Sequence, residues 1–328
     1  MKAVRIHETG GPAVLQVEDV EQPVPPAGHV LIRVAAAGVN YTDVMARQGI
    51  YLSREAALEL PAILGTEVAG VVVAVGDGVP ESATGRRVVG FVRSGYAEYA
   101  VAPHALVAEV PEGVDLVDAT TCLVQGVTAW HLLQQCGRLE PGQTVLIHAA
   151  AGGVGSVAVQ LARILGAGRV VATAGTADKR KLAEELGADL VVDYTRPEWP
   201  DEIATGTGGR GVDIVLDAVG GEVAERSLGC LAPFGRLVVY GVSSKQIAPF
   251  AGSQLMLHNH TVVGYWLTGW LTDRSAPETT RIVDRLLDLH REGRLRAVIR
   301  HAYSLADAAQ AHRQIAARGT TGKVVLTT

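Results

Sequence analysis

The sequence predicts an α/β protein in which a β-rich segment precedes a doubly wound parallel sheet. Three observations carry that prediction. An apolar run ends in a glycine cluster, T-V-L-I-H-A-A-A-G-G-V-G, at residues 144–155. Downstream, short apolar runs alternate with amphipathic stretches, the pattern of strands covered by helices on both faces. Upstream, the chain reads as strands punctuated by Gly and Pro clusters.

The bulk properties agree with a folded enzyme-sized chain. At 328 residues there is room for one large domain or two ordinary ones. Hydrophobic content of 48% and charged content of 19% argue against disorder. A net charge of −5 gives no indication of a nucleic-acid or anionic-membrane partner. Cys122, Cys136 and Cys230 are too few and too dispersed for a disulfide scaffold. The N-terminus lacks the apolar core of a signal peptide, and runs such as residues 68–76 are too short to span a bilayer. The expectation is a soluble cytoplasmic protein.

In chain order, Met1 to His7, His29 to Ala37, Val68 to Val75 and Arg87 to Val92 are strand candidates, and Val117 to Gln135 reads as helical. From Pro141 the pattern becomes strand then helix, repeated. Strands are expected at 144–149, 169–174, 189–193, 212–217 and 236–240, with helices at 156–165, 178–186 and near 221–231. Alternation of this kind implies right-handed crossovers and a parallel sheet. Beyond about residue 266 the tail is polar and helix-rich, with Ile282, Val283, Leu286 and Leu287 at helical spacing and a short final strand at 323–326. The tail is expected to return to the first domain.

The glycine cluster is where a dinucleotide's pyrophosphate would rest. The strict fingerprint is G-x-G-x-x-G; here Ala150, Gly152 and Gly155 give A-x-G-x-x-G. Gly152 permits close backbone approach, Gly155 permits helix–strand packing, and free N–H groups at the helix start attract phosphate charge. The end of the second strand selects the cofactor. An acid there would suit the ribose hydroxyls of NAD. This chain instead has Gly175 and Thr176, followed by Lys179, Arg180 and Lys181. A neutral turn with cations suits the 2′-phosphate of NADP, although a solvated basic helix face has the same composition. Asp178 in that turn is a candidate helix cap.

At this point the chain resembles the medium-chain dehydrogenase/reductase superfamily, and within it the zinc-free quinone oxidoreductases of the zeta-crystallin group. The resemblance spans nearly the whole chain and rests on G-V-N-Y-T-D (38–43), L-G-T-E-V-A-G-V-V (64–72), Q-G-V-T-A (125–129), A-A-G-G-V-G (150–155) and L-G-A-D (186–189). It implies a GroES-like catalytic domain over 1–122 and 267–328, and a Rossmann NADP(H)-binding domain over 123–266. Zinc-dependent relatives carry Cys where Asn40 stands and His where Thr66 stands. Asn and Thr are poor zinc ligands, and no Cys precedes residue 122, so no metal is expected. Without a Lewis acid, alcohol oxidation lacks its usual means of ionising the hydroxyl. A quinone or α,β-unsaturated carbonyl accepts hydride directly, and the enzyme mainly positions two planar systems.

The resemblance also implies site residues. Asn40 and Thr128 would lie near the nicotinamide ribose and ring, and Gly152, Gly153, Val154 and Gly155 would cradle the pyrophosphate. Gly175, Thr176, Lys179 and Tyr194 would serve the adenosine phosphate end. Tyr240, Gly241, Val242 and Ser243 would border the cofactor, Tyr265, Trp266 and Leu267 would approach the nicotinamide amide, and Lys323 would be a cofactor-contacting cation. Tyr51, ending R-Q-G-I-Y, is the candidate proton donor or substrate-orienting residue. A second family tyrosine about six residues earlier is replaced by Met45 or its neighbours.

Other polar residues read as structural. Asp43 is expected to organise a helix start, Glu67 to be structural without zinc, His148 to be a satisfied core histidine and Cys122 a small buried hydrophobe. Trp266 and Trp270 suit either an acceptor pocket or an interface. The leading expectation is an NADPH-dependent quinone reductase. The alternatives are an enoyl or 2-alkenal reductase on the same scaffold, and a cofactor-binding protein with little turnover. The resemblance further implies a homodimer joined through the apolar segment 261–267 as edge strand.

Overall fold

The computed structural model describes residues 1–51, 57–273 and 276–328. The chain forms two compact units, one from Met1–Val127 with Leu271–Thr328 and the other from Thr128–Trp270. These divisions fall four or five residues beyond the sequence-based boundaries at 122 and 266.

The first unit is built on a seven-stranded sheet whose spine is the long strand His29–Val39. Strands pair along both edges of that strand, and most of its residues are buried. Glu67–Val75, Tyr99–Pro103 and Lys323–Thr327 all run antiparallel to it. Arg87–Phe91 and Val107–Glu109 extend the sheet on one side and Ile299–Ser304 on the other. A second sheet of three strands joins Gln16–Asp19, Lys2–Ile6 and Ala62–Ile63. Val30, Ile32, Val34, Val68, Val72, Val324 and Leu326 meet in one core. The tail therefore does return to the first unit, and the pairing of Val324 with Val39 sets Lys323 beside the end of the spine strand.

The second unit is a six-stranded parallel sheet in the order Leu190–Val192, Arg169–Thr173, Thr144–Ile147, Val212–Asp217, Leu231–Val239, Thr261–Gly264. Chain order along the sheet is thus third, second, first, fourth, fifth, sixth. The order reverses beside Thr144–Ile147, which makes the carboxyl ends there the place for a ligand. Val145, Leu146 and Ile147 are wholly buried, as strands covered on both faces must be. The helices Gly153–Ile164 and Ala177–Glu185 are the first two crossovers.

One expected helix is broken. Periodicity predicts a continuous helix over 117–135, but the structure has Leu116–Ala119, a tight turn at Thr120–Cys122, the helix Val124–His131 and a wide turn at Leu132–Cys136. Leu123, with φ −83° and ψ −111°, leaves the helical region and interrupts the hydrogen-bond ladder. Among the described residues, no helix is long and apolar enough to cross a membrane.

Candidate functional site

Because all six strands of the second unit are parallel, the loops at their carboxyl ends share one edge of the sheet. Gly152–Gly155 follow the first strand of that unit, Gly175–Thr176 the second, Tyr194 the third, Tyr240–Ser243 the fifth and Tyr265–Leu267 the sixth. The topology thus gathers nearly all the residues expected to hold a cofactor. Gly152 caps the helix that begins at Gly153, and the first N–H groups of an α-helix have no intrahelical acceptor. A Cβ on Gly155 would lie 2.7 Å from the Ala150 Cα and closer still to the Ala149 carbonyl oxygen, so only glycine lets helix and strand approach this closely.

At the second strand's end the turn is neutral. The Thr176 hydroxyl, not Asp178, caps the next helix by accepting from the Lys179 backbone N–H at 3.4 Å. Arg180 is committed elsewhere: its Nη1 donates to Asp193 at 2.7 Å. Lys179 and the exposed Lys181 complete the cationic cluster. A Cβ on Gly175 would be 3.6 Å from the Tyr194 ring, so Tyr194 stands directly against this turn. Tyr194, Arg196, Trp199 and Arg226 border an open groove of about 270 Å³ beyond it.

The loop Asp217–Gly220 completes the edge, and it is absent from the residues the sequence singles out. Asp217 is fully buried and accepts from the N–H groups of Val219 (3.0 Å) and Gly220 (2.9 Å). Burial raises its pKa, and those two bonds oppose the rise. The loop in turn receives the Ser243 N–H on Ala218 O at 3.0 Å, and a Cβ on Gly241 would meet the same oxygen at 2.9 Å. The signal that could have found it is D-A-V-G-G directly after a strand.

Thr128 and His131 lie three residues apart on one helix face. Both meet the Tyr265 hydroxyl: His131 Nδ1 at 2.9 Å, and Thr128 through a side-chain hydrogen bond. Trp270 stacks on the His131 ring with centroids 4.2 Å apart. Of the neighbouring residues, Trp266 is exposed and Leu267 half-buried.

In the first unit the structure places Lys323 differently from the expected cofactor-contacting cation. Its side chain is 0% exposed, and its ammonium is hydrogen-bonded to Glu67, also 0% exposed. Burial explains the pairing, since neither charge is tolerable alone away from water. Glu67 accepts two further bonds, from Asn40 Nδ2 at 2.7 Å and from the Val124 N–H at 2.8 Å. A Cβ on Gly38 would fall 2.6 Å from Lys323 Nζ and closer still to Glu67 Oε1, so the pair needs glycine there.

Asp43 organises the helix start as its sequence position suggests, accepting from the Asn40 N–H at 2.8 Å. It also accepts from the Tyr96 hydroxyl at 3.0 Å, and that hydroxyl meets His312 Nε2 at 3.1 Å. Burial pushes the Asp43 carboxyl up to about 7 and the His312 imidazole down to about 3. Tyr51 is half-buried, and its hydroxyl donates to Ala46 O at 3.1 Å. His148 is a satisfied core residue: its ring nitrogens reach Thr173 Oγ1 and Ser227 Oγ, both at 2.8 Å, and burial lowers its pKa to about 3. Cys122 is buried and its thiol is pushed up to about 12, as befits a small hydrophobe.

Residues 26–112 match the alcohol dehydrogenase GroES-like domain and residues 153–288 the zinc-binding dehydrogenase family. A probable quinone oxidoreductase of Schizosaccharomyces pombe is 37% identical over 98% of this chain and 96% of its own length. The chain belongs to the quinone oxidoreductase family of medium-chain dehydrogenases/reductases.

Another member of that family, Escherichia coli quinone oxidoreductase, has been solved in complex with NADPH; it superposes with a TM-score of 0.92 at 32% identity, covering 100% of both chains. This quinone oxidoreductase family member is thus an NADP(H)-binding oxidoreductase, with a GroES-like unit and a Rossmann unit. The chain is also 35% identical, over 98% of its length, to a portion of a Mycobacterium tuberculosis phenolphthiocerol/phthiocerol polyketide synthase, of which it covers 14%.

The glycine-lined helix start and the neutral, lysine-bearing turn fit a phosphorylated dinucleotide. The zinc of the matched dehydrogenase family does not fit. Glu67 is already held by an ammonium and two N–H donors, and Asn40 and Thr66 are poor ligands. Among the described residues, no three His, Cys, Asp or Glu side chains are grouped to hold a metal ion.

Proposed function

We infer that this quinone oxidoreductase family member reduces quinones with NADPH and without zinc. The observation that carries this reading is the Glu67 carboxylate, closed off by Lys323, Asn40 and Val124 next to the residue pattern where relatives hold a metal. Such a site offers no Lewis acid to ionise an alcohol, which favours acceptors that are already activated.

Bound NADPH supplies the hydride. The chain's own residues grip and align. Gly152, Gly153, Val154 and Gly155 let N–H groups face the pyrophosphate. Thr176 and Lys179 take the 2′-phosphate, and Tyr194 borders the adenine. Tyr240, Gly241, Val242 and Ser243 flank the dinucleotide, while Asn40, Thr128 and the segment Tyr265–Trp266–Leu267 serve the nicotinamide end. Tyr51 orients the acceptor with its ring, its hydroxyl being held by Ala46. Stopped-flow decay of NADPH absorbance with a quinone panel tests the reading; rates no faster than the uncatalysed ones overturn it.

The likeness to the polyketide synthase portion favours a second reading, reduction of a conjugated enoyl thioester or enal. Side-by-side turnover of 1,2-naphthoquinone, an enal and crotonyl thioesters separates the two. Tight NADPH binding with no acceptor reduced would favour a cofactor-binding protein instead.

We further infer that the protein acts as a cytoplasmic homodimer. Thr261–Gly264 is the last strand of its sheet and has one strand neighbour among the described residues, and Ile247, Met256 and Leu257, which precede it in sequence, are 90%, 79% and 76% exposed. An unpaired edge and exposed apolar side chains suit self-association. A monomer by light scattering at micromolar concentration contradicts it.

A further inference from the structure

Acceptor reduction needs a proton as well as a hydride, and the Tyr51 hydroxyl already donates to Ala46 O. The second unit holds a different source. Thr128, Tyr265 and His131 form a buried hydrogen-bonded chain of hydroxyl, phenol and imidazole, drawn from one helix face and from the residue directly after the strand Thr261–Gly264. An apolar trio would fill that space at lower desolvation cost. Trp270, stacked on His131 with planes 25° apart, fixes the imidazole so that Nδ1 meets the phenol.

We propose that Tyr265 and His131 are positioning residues that deliver a proton through the Thr128 hydroxyl to the reduced acceptor. This rests on the reading that Thr128 stands at the nicotinamide end. As hydride adds to the acceptor, its carbonyl oxygen gains negative charge. The new O–H bond forms with the Thr128 proton, Tyr265 replaces that proton, and the His131 Nδ1–H donates to the phenolate left behind. After the product leaves, solvent returns one proton to Tyr265 through Thr128, since the His131 Nε2 is buried. One NADPH, one acceptor and one proton give NADP⁺ and the two-electron-reduced acceptor. Burial raises the Tyr265 pKa, which keeps the phenol protonated between turnovers.

The test is single-turnover NADPH oxidation by 1,2-naphthoquinone and by an enal from pH 6 to 9, for the full-length chain and for Tyr265→Phe and His131→Asn, with NADPH affinity measured by fluorescence. General acid groups typically contribute about 10²–10⁴-fold. The expected result is a rate in each variant lowered by about 100-fold at pH 7, with NADPH affinity within about twofold of the parent. The parent rate stays level across this range. In the variants it falls by about tenfold per pH unit as pH rises, because the proton then comes from solvent. The double variant is no slower than either single one. His131→Asn keeps the experiment informative should Tyr265→Phe fail to fold. A variant rate lowered equally at all pH values, or unchanged, overturns the relay while acceptor reduction stands. A parent protein that oxidises NADPH with neither acceptor overturns the underlying reading.

Discussion

Replacing Lys323 with Met should destabilise the protein far more than an ordinary lysine substitution. Lys323 and Glu67 are both fully buried, and their strands are brought together through the spine strand His29–Val39. Methionine fills most of the lysine's volume, so the perturbation is electrical. Glu67 keeps its bonds from Asn40 and Val124 but loses its ammonium partner. Removing one member of a buried pair costs about 3–5 kcal/mol, because the other charge remains out of water. At roughly 2 °C per kcal/mol for a chain of this size, Tm should fall by about 6–10 °C. Thermal unfolding by circular dichroism at pH 7 measures it. Lys323→Met with Glu67→Leu should recover much of the loss, since an apolar pair of similar volume carries no desolvation penalty. A Tm within about 1 °C of the parent for the single variant, against the drop expected for a buried pair, would refute the reasoning.

Three further outcomes follow. Gly155→Ala forces a Cβ against the Ala149 carbonyl, so helix Gly153–Ile164 must shift and NADPH affinity by calorimetry should fall at least about tenfold. Lys179→Ala should narrow the preference for NADPH over NADH by about 10- to 150-fold, the equivalent of one charge-assisted hydrogen bond of ~1.5–3 kcal/mol, as read from the ratio of dissociation constants. Stability should fall on acidification from pH 6.5 to 4. His148 and His312 have folded pKa values of about 3, so the unfolded chain binds more protons below the ordinary value of 6.5. Asp43, raised to about 7 from 3.8, has the opposite sign across this window and offsets one histidine. The net loss is on the order of 1 kcal/mol per pH unit, and a Tm that rises on acidification contradicts it.

The second unit is legible in the sequence because parallel strands covered on both faces leave unbroken apolar runs such as V-L-I and I-V-L. The first unit is less so. Ile299–Ser304 alternates half-buried and exposed residues, and Val107–Glu109 has three residues, so neither has an apolar run to find. The break at Leu123 is a tertiary matter that helix periodicity does not register.

The cofactor loops can be placed from strand ends alone. The polar networks cannot, since Lys323 and Glu67 are 256 residues apart and Tyr96 and His312 are 216 apart. Lys323 reads as a cofactor-contacting cation by resemblance, because its pairing with Glu67 is set only when the C-terminal strand docks against Val39.

Metal-free reduction of quinones by NADPH is probed most directly by stopped-flow oxidation with 1,2-naphthoquinone, on protein whose metal content is measured in the same sample. The predicted result is saturable oxidation well above the uncatalysed rate in protein holding no stoichiometric zinc, unchanged by a chelator. Absence of oxidation, or activity that appears only when zinc is added in equal proportion to the chain, would contradict it.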